Sequence, residues 1–177
     1  MLWIALNFPC LPLESFPRAS AQSEPWAVTD GPRVAVCNPQ VRAQGVHPGM
    51  SVSAACALAP NLNYRQRDSK TEAAALEQIA AWAGQFTPCV SLQPPAGLLL
   101  EIEGSLRLLG GIGKIFESIR RGASEMGYTL RFACAPTASA ISTSRPFSSA
   151  PTARRWRRRR ARRARRGPCA SWPQRRP

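Results

Sequence analysis

The chain has 177 residues and a formal net charge of +14, which is enough length for one domain with a hydrophobic core. Thirteen of the 24 basic residues are arginines between positions 145 and 176, so the first 144 residues hold 11 basic and ten acidic residues. The six cysteines occur singly and His47 is the only histidine, which argues against a zinc site. The apolar start is too short for a signal peptide and no later run could span a bilayer, so we expect no membrane partner and a cytoplasmic location.

The first part of the chain has the pattern of a strand followed by a hairpin. Residues 2–8 are an apolar run that Pro9 closes, which favours a buried strand. Residues 27–37 predict a β-hairpin with its turn at Asp30-Gly31. Residues 61–64 predict a brief further strand.

Two short helices joined by a tight corner are predicted between the hairpin and that strand. Asn38-Pro39 can cap and begin the first helix, and Gly45 ends it. Pro48-Gly49 then forms a turn. Ser51 can cap the second helix, which ends before Pro60.

The second half alternates long helices with strands. Ser69-x-x-Glu72 has the spacing of a capping box and begins a long helix. The buried face of this helix is predicted to consist of Leu76, Ile79, Ala80, Ala83 and Phe86. A second helix carries apolar residues at the same spacing from Ile112 to Met126, and strands are predicted at 90–92, 98–102 and 130–134. The order predicts an α+β fold, with helices on one face of a largely antiparallel sheet.

The corner motif also resembles a known family. Arg42-x-x-Gly45-Val46-x-x-Gly49-Met50, followed by Leu58-Ala59-Pro60, is similar to the palm–fingers junction of Y-family (translesion) DNA polymerases. Residues 2–14, 80–95 and 97–111 resemble the catalytically degenerate, ImuB-like branch of that family. The resemblance reaches to about residue 137 and implies a ferredoxin-like palm at 1–137, with a small helical fingers segment at about 38–65.

The resemblance identifies positions where catalytic carboxylates are expected. Active relatives hold two magnesium ions with carboxylates from the first strand and from an Asp-Glu pair in a later hairpin. Aligning Glu14 with the family glutamate puts Ala5 at the first aspartate and Asn7 two residues on. Cys10 then takes the place of the aromatic residue that excludes ribonucleotides.

The second metal-binding motif differs in the same way. Ser91-Leu92-Gln93-Pro94 aligns with Ser-x-Asp-Glu, so Gln93 and Pro94 replace both carboxylates. We therefore predict that the chain is not an enzyme and has no cofactor. Mg²⁺ would be required only if the chain is an active polymerase fragment with unusual ligands. Glu101 and Glu103 could be such ligands on one strand face, although a solvated face explains them more simply.

Two further segments suggest phosphate contacts. Arg42 matches the arginine that meets the incoming triphosphate in active relatives, but without a metal-bound nucleotide we favour a helix-surface salt bridge for it. The run 110–114 is rich in glycine, but Leu108 and Ile115 occupy positions where a Walker A loop needs glycine and Ser or Thr. We predict a helix entry there.

Residues 138–177 predict a disordered tail rich in Arg, Pro and Ser, because this stretch has no acidic residue and no periodic apolar pattern. One reading is an arm that binds DNA or RNA phosphates without sequence preference. Its central arginines are Arg154, Arg155, Arg157, Arg158, Arg159 and Arg160. The other reading, which we favour, is a frameshift near Ala138, because alternate frames of GC-rich DNA have this composition.

Three functions are consistent with the sequence. The resemblance implies a truncated, non-catalytic subunit of damage-induced, error-prone translesion synthesis. Its expected partners are DNA, an error-prone C-family DNA polymerase, a RecA-like accessory protein and the sliding clamp, the last lost with the missing C-terminal region. The alternatives are an active Y-family polymerase fragment and a basic nucleic-acid-binding protein that acts through its tail.

Overall fold

The structure is a computed structural model, and it describes residues 1–16 and 24–137. The elements in chain order are β1 (Trp3–Asn7), α1 (Leu11–Glu14), β2 (Trp26–Asp30), β3 (Arg33–Cys37), α2 (Pro39–Ala43), α3 (Val52–Leu58), β4 (Asn63–Gln66), α4 (Ser69–Ala83), β5 (Val90–Gln93), β6 (Gly97–Glu101), α5 (Ile112–Glu125) and β7 (Arg131–Ala135). The longest helix in these ranges is α4 with 15 residues, and none of them could cross a bilayer.

The larger sheet has the strand order β5-β6-β1-β7, and all of its neighbours pair antiparallel. With α4 between β1 and β5 and α5 between β6 and β7, the order is that of a ferredoxin-like βαββαβ unit. Alternate residues of β1 and β6 point toward the two helices and form the main core. Its fully buried members include Ile4, Leu6, Ile79, Leu98, Leu100 and Ile119. The predicted α+β fold is confirmed.

A smaller unit is inserted between β1 and α4. Its sheet has the order β3-β2-β4, in which β2 and β4 are parallel. This sheet and helices α2 and α3 enclose a second core that includes Val34, Val41, Val46 and Ala55. The sequence pattern predicts a single sheet, but the structure has two. Besides β3, strand β2 pairs with β4, which follows two helices later, and local patterns do not reveal such pairing.

The corner between α2 and α3 forms as predicted. The Asn38 side chain accepts a hydrogen bond from the Val41 amide at 3.1 Å, and the Ser51 hydroxyl accepts one from the Ala54 amide at 3.3 Å. The glycine that ends α2, Gly45, has a φ of 90°, a conformation that only glycine adopts without strain. These contacts fix the position of Arg42, which lies on the exposed side of α2.

The start of α4 differs from the prediction by one residue. The N-cap is Asp68, not Ser69, because an Asp68 carboxylate oxygen accepts hydrogen bonds from the amides of Lys70 at 3.0 Å and Thr71 at 3.4 Å. Its other oxygen accepts the Thr71 hydroxyl at 2.7 Å. The predicted capping box is therefore wrong, since Glu72 does not reach back to the cap.

Glu72 instead connects the inserted unit to the main core. Its side chain is 4% exposed, and its two carboxylate oxygens accept hydrogen bonds from Nε and Nη2 of Arg67, both at 2.8 Å. Arg67 also lies 3.7 Å from the Asp30 carboxylate at the end of β2, and its amide donates to the Thr29 carbonyl. One guanidinium thus bridges the smaller sheet and helix α4.

Candidate functional site

The face of the larger sheet that points away from α4 and α5 is called the open face here. Strand register divides it into three rows that cross the sheet. The end row is Gln93, Gly97, Asn7 and Arg131; the middle row is Ser91, Leu99, Ala5 and Ala133; the far row is Glu101, Trp3 and Ala135. Because paired residues on adjacent strands share a face, these rows show which side chains can act together.

The middle row holds Ala5, the position that the resemblance equates with the first catalytic aspartate. Ala5 is paired with Leu99 on one side and with Ala133 on the other. Ala5 and Leu99 are only 6% and 7% exposed, and Trp3 and Ala135 pack against them. The centre of the open face is therefore a small apolar cluster.

Gln93 and Pro94 lie at the edge of the same face. Gln93 is the last residue of β5 and is exposed, and its amide nitrogen donates to the Ser91 hydroxyl at 3.2 Å. Pro94 begins the exposed turn into β6. Because β6 lies between β5 and β1, the backbone at Gln93 is about 10 Å from β1. Gln93 and Ala5 thus share a face but do not adjoin.

The two glutamates weighed as replacement ligands do not form a pair on one strand face. Strand β6 ends at Glu101, and Glu103 lies in the turn that follows. The Glu101 carboxylate accepts a hydrogen bond from the Glu103 amide at 3.0 Å, and Glu103 forms an ion pair with the amino group of Met1. Among the residues that the structure describes, no group of three or more His, Cys, Asp or Glu side chains could hold a metal ion.

A basic corner lies at the end-row edge of the open face. Burial raises the pKa of the Cys10 thiol and Glu14 adds to this rise, while the charges of Arg42 and Arg131 oppose it. These two arginines come from different units, since Arg42 belongs to α2 and Arg131 begins β7. Sequence reasoning missed Arg131, because only the pairing of Asn7 with Arg131 reveals its place.

Glu14 is held at the same corner by a residue 115 positions away in the chain. Its carboxylate accepts hydrogen bonds from the Thr129 amide at 2.9 Å and from the Thr129 hydroxyl at 2.5 Å. Burial raises the pKa of Glu14, and the two hydrogen bonds from Thr129 lower it by less. The contact ties α1 to the start of β7 and so fixes Cys10 beside the end row.

The glycine-rich run before α5 is a helix entry, as predicted. Gly110 and Gly111 have φ values of 74° and 96°, and Gly111 is the N-cap of α5. A Cβ on Gly110 would lie 2.8 Å from the Lys114 side chain, which folds back over the glycine. The six arginines proposed for nonspecific nucleic-acid contacts, and the predicted boundary of the tail at 138, lie outside the described residues.

The sheet order and the inserted unit together define the palm fold of Y-family DNA polymerases. The post-insertion binary complex of Dbh DNA polymerase matches 82% of this chain and 46% of its own, with a TM-score of 0.66 and 19% identity. DinB from Sulfolobus solfataricus matches 82% of this chain and 46% of its own, with a TM-score of 0.62 and 21% identity. At this level of identity these similarities establish the fold alone.

Family membership comes from the sequence. The chain belongs to the impB/mucB/samB family, whose model matches residues 13–140, well over half of the sequence. Protein ImuB from Caulobacter vibrioides is 33% identical over 96 residues, which cover 54% of this chain and 21% of ImuB. The match therefore spans about a fifth of the length of that relative, and just under half of the solved polymerase chains.

Proposed function

We propose that this chain is a polymerase-like component of DNA damage tolerance that does not itself catalyse nucleotide transfer. It would serve in error-prone translesion synthesis as a non-catalytic subunit that contacts DNA. The family and the palm fold support the first part of the proposal. The chemistry of the open face supports the second part.

The observation that carries the proposal is the middle row of the open face. Two magnesium ions in such an enzyme require several anionic oxygens, because Mg²⁺ prefers hard oxygen ligands in octahedral geometry. The described residues of this row offer a hydroxyl, an isobutyl group and two methyl groups from Ser91, Leu99, Ala5 and Ala133. The residues present do not fit a metal pair.

The remaining carboxylate on the open face does not change this conclusion. Glu101 lies in the far row beside Trp3, and its carboxylate already accepts a hydrogen bond from the Glu103 amide. One carboxylate at the opposite end of the strands cannot neutralise the charge that develops on a transferring phosphoryl group.

Primer extension by the full chain tests the proposal. With a primer–template, all four nucleoside triphosphates and Mg²⁺ or Mn²⁺, we expect no product above the protein-free control. The Asn7→Arg variant is the control, because it places a cation next to the middle row. Extension by the wild type that chelation abolishes and that is absent in Asn7→Arg would contradict the proposal. Extension at the same rate by the wild type and by Asn7→Arg would come from a contaminating polymerase, because the added charge would impair a catalytic centre on this face.

The partners inferred from the resemblance belong to the same proposal. We expect DNA to be contacted directly, and a C-family DNA polymerase with a RecA-like accessory protein to supply the activity that the open face lacks. Co-purification of the full chain with these two proteins from cells exposed to DNA damage would support this arrangement. Separate migration of all three after damage would contradict it.

A further inference from the structure

The end row of the open face carries hydrogen-bond donors and no carboxylate. Its side chains are the amides of Gln93 and Asn7 and the guanidinium of Arg131, which strand pairing aligns in one row across the sheet. Gln93 and Arg131 are exposed and Asn7 is half-buried. Asn7 and Arg131 lie on neighbouring strands about 4.8 Å apart, close enough to contact one small anion together.

The end row contains one residue without a side chain. Gly97 lies between Gln93 and Asn7, and a Cβ there would be 3.0 Å from the Gln93 carbonyl oxygen and 3.2 Å from the Gln93 Cβ. A side chain here would require the Gln93 backbone to move by a few tenths of an ångström. The Gln93 and Asn7 amides therefore flank a strip of backbone that carries no side chain between them.

Positive charge converges on the same end of the sheet. Arg42 of the inserted unit and Arg131 of β7 both act on Cys10, which follows β1 by three residues. Glu14 is the carboxylate that faces this corner, and the Thr129 amide and hydroxyl hold both of its oxygens. Among the residues that the structure describes, Arg42, Arg131 and Glu14 are the charged side chains that act on Cys10, and the Glu14 carboxylate is already hydrogen-bonded.

We propose that the end row binds a backbone phosphate of a DNA strand directly, without a metal ion. The inference rests on the proposed function and adds the contact by which such a palm would hold DNA. Arginine and side-chain amides are the groups that proteins use to contact phosphate oxygens. Asn7 has the shape of aspartate without its charge, so it donates to a phosphate that aspartate would repel.

Alkylation of Cys10 reports on this site. The full chain is treated with N-ethylmaleimide in EDTA, with and without a primer–template, and labelling is followed by peptide mass spectrometry. At a DNA concentration about ten times the dissociation constant, Cys10 should react about tenfold more slowly. Cys89 is exposed at the other end of the sheet and should keep its rate. Hydrogen exchange of residues 4–10 gives the same comparison if free Cys10 reacts too slowly to follow.

Two variants and one control separate this contact from binding elsewhere on a basic chain. Arg131→Gln and Asn7→Asp should each raise the DNA concentration that half-protects Cys10 in EDTA about tenfold or more, because a hydrogen bond to a charged group is lost or repelled. Arg120→Gln removes the same charge as Arg131→Gln from an exposed position on α5, on the opposite side of the sheet, and should leave protection unchanged.

Three results would overturn the inference. These are protection that appears only with Mg²⁺, protection that survives both Arg131→Gln and Asn7→Asp, and protection by a nucleoside triphosphate alone but not by DNA. Primer extension by the same protein, with Mg²⁺ in place of EDTA, is a separate readout. Extension that Asn7→Arg abolishes would refute the proposed function whether or not Cys10 is protected, whereas absent protection without extension refutes this inference alone.

Discussion

Gly122 lies in α5 where the helix passes over Trp82 of α4. A Cβ added there would be 2.3 Å from Cζ2 of Trp82, 3.0 Å from Cε2 and 3.3 Å from Nε1. Carbon atoms pack at about 3.5–4.0 Å, so the ring would have to move by more than about 1 Å in Gly122→Ala. The ring also packs edge-to-face on Phe86, with centroids 5.3 Å apart, which restricts that movement.

The expected loss of stability follows from two opposing terms. Overpacking costs about 1–3 kcal/mol, and replacing a helical glycine by alanine regains up to about 1 kcal/mol. With the full gain, Gly122→Ala should lower the free energy of unfolding by up to about 2 kcal/mol, measured by urea denaturation followed by circular dichroism.

A control and a rescue make this prediction specific. Gly113 lies in the same helix with nothing within 4 Å of its added Cβ, so Gly113→Ala should be neutral or stabilising by up to about 1 kcal/mol. Trp82→Phe should reduce the cost of Gly122→Ala in a double-mutant cycle. The packing of α4 on α5 would be refuted if Gly122→Ala proved as stable as Gly113→Ala.

Three other changes test contacts that link the elements. Glu72→Ala leaves the Arg67 guanidinium without its buried carboxylate partner and should lower the free energy of unfolding by about 2–3 kcal/mol, less than for a fully buried pair because Arg67 is partly exposed. Glu77→Ala, on the exposed face of α4, should lower it by under about 0.5 kcal/mol in the same denaturation assay. Because burial raises the pKa of Glu14 in the folded state, its contribution to stability is greatest at low pH and is lost as the pH rises through the folded-state pKa. Glu14→Gln should therefore gain stability relative to wild type as the pH rises above about 4.3, the ordinary pKa of glutamate, and a difference that does not change with pH would contradict the burial of this carboxyl group. Asp68→Ala should destabilise α4 and Ser69→Ala should not. Because hydrogen bonds lower the pKa of Asp68, the stability lost in Asp68→Ala should become smaller as the pH falls through that pKa, and equal effects of the two variants would restore Ser69 as the cap.

Local sequence signals predict helices α2 to α5 well, but not the short helix α1. The glycines and prolines that begin and end α2 and α3 act through backbone conformation, which depends on a few neighbouring residues. The cap of α4 was misplaced because Asp68 and Ser69 are both good capping residues, and the pattern Ser-x-x-Glu favoured the second. Glu72 does not complete the capping box because it is buried against Arg67, and burial is a tertiary property.

Non-local contacts account for what the sequence could not predict. The parallel pairing of β2 with β4 joins residues on either side of two helices, so a second sheet could not be inferred from hydrophobic alternation. Arg131 joins Asn7 only through strand register, and Thr129 reaches Glu14 across most of the chain. The resemblance had already placed Ala5 and Gln93 at candidate positions, but their separation by strand β6 required the structure.

Binding of Mn²⁺ to the full chain, measured by electron paramagnetic resonance in the presence of a primer–template, tests the central claim most directly. The apolar middle row predicts no pair of sites, and free Mn²⁺ should follow a titration without protein up to about millimolar concentration, the range of weak carboxylate sites. Two tightly bound ions that Asn7→Arg displaces would contradict the account, because they would show that the open face can assemble a metal pair without the aspartates.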